Sequence, residues 1–173
     1  SLLGDLPDRS RPVSAVTMST EDRPRYHIEK LSLDLNGIEP VPAYFVRPLG
    51  ATGRLPTVVY NHSHGGAYTV GKDEFVRRRE YLHSPPYAEF LTGLRYNAVC
   101  IDHWCFGERS GRSESETFKE MLWSGRVPWG MMVFDSIRLV DYLASRDDVD
   151  ASRLATAWPR WMSVSGPAPS CAA

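Results

Sequence analysis

The sequence predicts an α/β fold: a mostly parallel sheet preceded by an antiparallel hairpin, with helices on both faces. Three observations carry that reading. Residues 26–35 alternate apolar and polar side chains from Ile28 onward, and Asn36-Gly37 then marks a tight turn into a second strand over 41–48. Residues 57–60 (Thr-Val-Val-Tyr) and 97–102 (Asn-Ala-Val-Cys-Ile-Asp) are continuous apolar runs of the sheet-interior kind. Helix-period stretches follow each run, and such alternation implies parallel strands with crossover helices.

Each remaining element has its own signal. Residues 1–25 are polar and contain proline, as suits an N-terminal loop or short helix lying across the core. Pro86 opens a helix over 87–94, since proline fits a first helical turn. Residues 113–123 read as a surface helix. Residues 131–145 form the clearest amphipathic helix, with Val133, Ile137, Val140 and Leu143 on one stripe and Asp135, Arg138 and Asp141 elsewhere. Residues 146–153 read as a polar turn, and a short fifth strand runs over 154–157. There is no internal repeat and no second domain, so the organisation is 1–25, then one α/β unit over 26–157, then an irregular 158–173.

At 173 residues the chain is long enough to bury roughly 70% of its unfolded surface in one domain. A net charge of −1 gives no electrostatic reason to expect nucleic acid or an anionic membrane as partner. No apolar run approaches the roughly 20 residues of a membrane-spanning helix. Residues 1–25 lack the charged start and long apolar stretch of a signal peptide. Cys100, Cys105 and Cys171 are odd in number and form no CxxC pair, so buried thiols and a cytoplasmic setting are expected.

The segment Pro56-Thr-Val-Val-Tyr-Asn-His-Ser-His-Gly-Gly66 carries the chemistry. A β-branched strand ending at His-Gly-Gly can turn backbone N–H groups toward a reacting carbonyl oxygen, because glycine adopts the required backbone angles. His62 and His64 also have a metal-pair reading, but zinc needs a third protein ligand nearby and Gly65-Gly66 stand where one would help. Asp102, at the end of a buried strand, looks like a catalytic carboxylate or a loop-orienting one. His103 beside it is a candidate base or, more simply, a solvent-side or packing residue. The basic cluster at 77–79 reads as a solvated face.

Three blocks resemble the α/β-hydrolase superfamily, above all its dienelactone-hydrolase-like and acetylesterase-like branch: Tyr60-Asn-His-Ser-His-Gly-Gly66 with Gly71-Lys72, then Asp102-His-Trp-Cys-Phe-Gly-Glu-Arg-Ser-Gly111, then residues 129–153 from Trp129-Gly. The resemblance covers roughly 26–156 and implies an incomplete α/β-hydrolase fold, its N-terminal portion only. It implies a backbone oxyanion hole at Gly65, Gly66 and Ala67, supported by His62, His64, Asp102, Gly107 and Arg109. It also implies serine-type hydrolysis of a small-molecule carboxylic ester with no metal and no cofactor, a peptidase being a variant of the same reading.

The family's nucleophile elbow, G-x-S-x-G, is due at 158–162, with its serine at 160. The chain reads Trp158-Pro-Arg-Trp-Met162 there, and Arg160 stays protonated and cannot attack. Ser163 and Ser165 lack the small flanking residues of an elbow. Residues 157–173 contain no Asp, Glu or Lys, the character of an out-of-frame or artificially ended reading of a longer gene. The expectation is an inactive chain with an uncovered sheet edge, marginal stability and a tendency to associate or aggregate. The rival readings are a non-catalytic α/β binding module and a metallohydrolase using His62 and His64.

Overall fold

A computed structural model describes residues 2–158 apart from 78, 80, 81 and 83. Six strands, β1 (Ser14–Asp22), β2 (Tyr26–Asp34), β3 (Val41–Pro48), β4 (Leu55–Tyr60), β5 (Asn97–Ile101) and β6 (Val149–Ala157), form one sheet in the order β1-β2-β3-β5-β4-β6. The sheet is mixed. β1, β2, β3 and β5 pair antiparallel, while β4 lies parallel to both β5 and β6. The helices are α1 (Asp73–Val76), α2 (Tyr87–Gly93), α3 (Glu114–Trp123) and α4 (Pro128–Ser145), with a 3-10 turn at Gly107–Arg109.

Strand alternation sends neighbouring side chains to opposite faces, and each face has its own core. Val59, Val99, Phe45 and Leu33 pack with Leu139 and Leu143 of α4. Val58, Ala98, Cys100 and Val46 pack with Phe75 of α1 and with Ala88 and Leu91 of α2. Helices therefore cover both faces. Local chemistry fixes the helix starts: Pro86 precedes α2, Pro128 opens α4, and Ser113 with Glu116 makes a reciprocal capping box on α3.

Three expectations need correction. Residues 14–22 are a strand rather than a loop or short helix. Every residue of β1 is exposed, so no alternating burial pattern marks it, and it is held by its ladder to β2. Residues 149–153 are the start of β6 rather than part of a polar turn, for the same reason: most of this edge strand faces solvent. Of the stripe expected on α4 only Leu143 lies on the main buried face. Met131, Phe134, Asp135, Arg138 and Leu139 are buried, while Val140 is 42% exposed and Val133 and Ile137 line a cleft. Asp135 takes an inward position because Asn36 Nδ2 and Arg109 donate to its carboxylate at 2.7 and 2.9 Å.

Chain order reverses at β4. The connection from β4 to β5 carries α1 and α2 on one face. The connection from β5 returns across β4 to β6 with α4 on the other face. In open α/β sheets the crevice at the carboxyl ends of strands, where the order reverses, is the usual ligand position. Residues 61–67 leave β4 at that point.

Candidate functional site

The carboxyl ends of β4, β5 and β6 share one edge of the sheet, and a cleft of about 790 Å³ opens there. Its polar end is built by Asn61, His62, His64, His103 and Glu114, and its apolar wall by α4 and β6. Asn61 ties two strand ends together. Its N–H donates to Ala157 O at 3.0 Å and its side-chain amide to Thr156 Oγ1 at 2.9 Å.

Gly65 and Gly66 form an exposed turn with φ of 47° and 68°, and Ala67 beyond them is half-buried. A Cβ on Gly66 would meet nothing within 4 Å. Glycine is therefore suited to that position by backbone angle, with open space above it. His62 is buried. Its Nε2 accepts from the His103 N–H at 3.2 Å, and its Nδ1 lies 3.2 Å from Ser63 O, which fixes a neutral ring protonated on Nδ1. Burial pushes its pKa down. His64 is exposed and reaches Glu114. Both imidazoles thus have partners other than a metal. Among the described residues no group of three or more His, Cys, Asp or Glu side chains is placed to hold an ion.

Asp102 is fully buried and its carboxylate is a junction. Oδ1 accepts from the Lys72 N–H at 2.7 Å. Oδ2 accepts from Lys72 Nζ at 2.8 Å and from the Glu108 N–H at 3.0 Å. Gly71 and Gly107 lie against it so closely that an added Cβ would stand 2.2 and 2.1 Å from Oδ1. Arg109 closes the same loop, donating to Asp102 O at 2.9 Å, to Asp135 at 2.9 Å and to Glu39 at 2.6 Å, its guanidinium over the Trp104 ring. Burial raises the Asp135 pKa, against the pull of Arg109. Burial alone would lower the Lys72 ammonium, but Asp102 and Glu108 carry it above its ordinary value.

Glu74, which no sequence pattern marks, does for β4 what Asp102 does for β5. Its buried carboxylate accepts from Tyr60 Oη, the Ser63 N–H and Arg79, each at 2.9 Å, and also from the Ser63 hydroxyl. Arg79 is therefore a mostly buried partner rather than part of a solvated basic face, whereas Arg77 is exposed. No spacing rule singles out Glu74, because its role depends on where the chain folds back on itself. His103 is the packing residue of its two simpler expected settings: half-buried, it lies against the His62 ring with centroids 5.0 Å apart. Its Nδ1 is buried without a hydrogen-bond partner among the described residues, and burial together with His62 and Arg109 pushes its pKa down to about 3. Arg160, Ser163 and Ser165 lie outside the described residues.

Two outcomes follow. Lys72→Met leaves the Asp102 charge buried without its ammonium partner and should cost about 3–5 kcal/mol in urea unfolding; a loss under about 1 kcal/mol would refute the clasp. The depressed His62 and His103 make folding pH-dependent. Above the ordinary imidazole pKa of 6.5 neither state binds the proton, so stability is at its full value. As pH falls below it, the unfolded chain takes up protons that the folded chain refuses. His103 alone should then remove about 1.2 kcal/mol between about pH 6 and pH 5, with His62 adding to the loss. A flat unfolding free energy across that window, or no flattening in His103→Gln, contradicts the assignment.

No family model matches the chain. The "putative hydrolase YtaP" of Bacillus subtilis is 51% identical over 155 residues, which are 90% of this chain and 52% of that protein. The chain thus spans about half the length of the curated relative it matches. A protein from Bacteroides fragilis described as a "putative acetyl xylan esterase" superposes with a TM-score of 0.67 at 15% identity, over 84% of this chain and 41% of that one. An acetyl xylan esterase from Paenibacillus sp. R4 gives 0.62 at 22% identity, over 86% and 46%. Over the matched lengths this chain shares the fold of these two proteins, a mixed sheet with helices on both faces.

Proposed function

We propose that this chain is the oxyanion-hole portion of a serine-type α/β-hydrolase acting on small carboxylic esters. The observation that carries the reading is the glycine turn at Gly65-Gly66, fixed at the carboxyl end of β4 where strand order reverses and beside a cleft. Backbone N–H groups around Gly66 and Ala67 supply one side of the oxyanion hole. The supporting set is His62, His64, Asp102, Gly107 and Arg109, which hold the turn and its neighbouring loop. Serine-type acyl transfer also needs a nucleophile with a base beside it. The position due to carry the serine holds Arg160, so the polypeptide by itself is inactive.

The reading is tested by a chimera in which residues 1–157 replace the matched stretch of the Bacillus subtilis relative. The chimera should hydrolyse a short-chain nitrophenyl ester, and a serine-directed phosphonate should block it. Ala67→Pro removes one N–H and should lower kcat by about 10²- to 10³-fold with a smaller change in KM. The unaltered chain should give no turnover above buffer and no phosphonate labelling. A chimera that melts cooperatively yet leaves the ester intact refutes the proposal, as does turnover by the chain alone.

One observation favours a second reading, a non-catalytic α/β module that binds a partner at the β6 edge of its sheet. Trp129 and Val140 are 66% and 42% exposed on the face of α4 beside edge strand β6. A complex of fixed stoichiometry in sedimentation would support that reading, and open-ended association would count against it.

A further inference from the structure

The turn at Gly65-Gly66 carries an internal acceptor. The Gly66 N–H donates to His64 Nδ1 at 3.4 Å. On the other side of the same ring, Nε2 lies 3.2 Å from Glu114 Oε1 and 3.3 Å from the Tyr68 hydroxyl, which itself donates to Glu114 Oε2 at 2.7 Å. Phe106 packs edge-on to His64 with ring centroids 5.1 Å apart and stacks on Tyr68 at 5.0 Å, so the imidazole has a defined seat although it is exposed.

A neutral imidazole has one donor and one acceptor nitrogen, and an ionised carboxylate only accepts. Glu114 therefore requires the proton on Nε2, which leaves a lone pair on Nδ1 facing the Gly66 amide. We infer that His64 is a positioning residue that holds the Gly66 N–H as a latched oxyanion donor, its Nδ1 occupying the amide until an acyl oxygen replaces it. This inference rests on the ester-hydrolase reading and deepens it.

The latch is weak by design of its geometry. At 3.4 Å it is longer than the usual 2.7–3.2 Å of an N–H bond to oxygen, so displacing it costs the ground state little. Hydrogen bonds to ionised acceptors are shorter and roughly twice as strong as neutral ones. The exchange of a neutral imidazole for an oxyanion thus becomes favourable as charge develops on the acyl oxygen, which is the condition for accelerating the chemical step rather than only binding substrate. Glu114 and Tyr68 act through His64. They set which nitrogen is bare, and α3, which begins at Glu114, thereby helps position an amide on a different loop.

The test reads the ring nitrogens directly. In the 15N-labelled chain at about pH 8, where an ordinary imidazole is neutral, long-range proton–nitrogen spectra should show His64 Nδ1 unprotonated and Nε2 protonated. Glu114→Gln, whose carboxamide can donate or accept, should bring the two nitrogen shifts together and raise Gly66 amide exchange roughly fivefold. His64→Ala should raise that exchange by as much. The same spectra taken on the chimera serve if the chain alone associates. A protonated Nδ1 in the unaltered protein overturns the latch, as does Gly66 exchange unchanged in both variants. An active chimera with protonated Nδ1 ends the latch and leaves the hydrolase reading standing. A folded, inactive chimera with bare Nδ1 overturns the acyl-oxygen role together with that reading.

Discussion

The buried carboxylate of Asp102 is the constraint on which the site depends. It joins three chain segments: the end of β5 that bears it, the Gly71-Lys72 bend that follows the glycine turn, and the Gly107-Glu108 loop beyond. A lone carboxylate at that depth would be far more stable protonated or exposed. Two main-chain N–H groups and an ammonium make the ionised form tenable. The glycines at 71 and 107 are part of the same constraint, because both approach within a distance that excludes a side chain. Buried ion pairs add little net stability compared with an apolar core of equal volume. What such a pair does supply is selectivity among loop conformations, since any displacement of either loop strands a charge.

Glu74 repeats this arrangement one strand over. It binds the Ser63 N–H and the Tyr60 hydroxyl, with Arg79 as its cation. The residues between Tyr60 and Gly66 are therefore anchored at their start by Glu74, while the segment after them is anchored through Lys72 by Asp102. The glycine turn hangs between two fixed points. Rigidity of this kind suits the proposed oxyanion site, because with the turn held in place the exchange of partner at the Gly66 N–H is the one rearrangement that charge development requires. The neutral state of His62 and His103 serves the same end. Two uncharged rings wall the polar end of the cleft without contributing a cation that would distort the local field.

The sheet was legible in the sequence wherever a strand has a buried face. β2, β3, β4 and β5 carry alternation or continuous apolar runs, and their positions follow from those patterns. β1 and the first half of β6 have no buried face to report, so composition reads them as loop or turn. The site divides along a similar line. The strand-end glycines and Asp102 are visible as local patterns. The hold of Glu74 on Ser63, that of Asn36 on the inward-facing Asp135 and the pairing of Tyr68 with Glu114 join residues 11 to 99 positions apart, which no local spacing encodes.

The outward stripe of α4 shows how one helix can satisfy two apolar patterns. Its buried side, through Leu139 and Leu143, packs against the sheet. A second apolar row, Val133, Ile137 and Val140, continues around the helix and meets Leu154 of β6 across the cleft. A surface helix with a single partner normally shows one apolar stripe of about 100°. A helix apolar over a wider arc behaves energetically as one with two partners, and the second side here is the cleft. The cleft is accordingly divided: imidazoles, an amide and Glu114 at the strand ends, and largely apolar side chains along α4 and β6. The apolar side has the composition of a core, yet Trp129 and Val140 on it stay exposed, so it presents apolar surface to whatever the cleft admits.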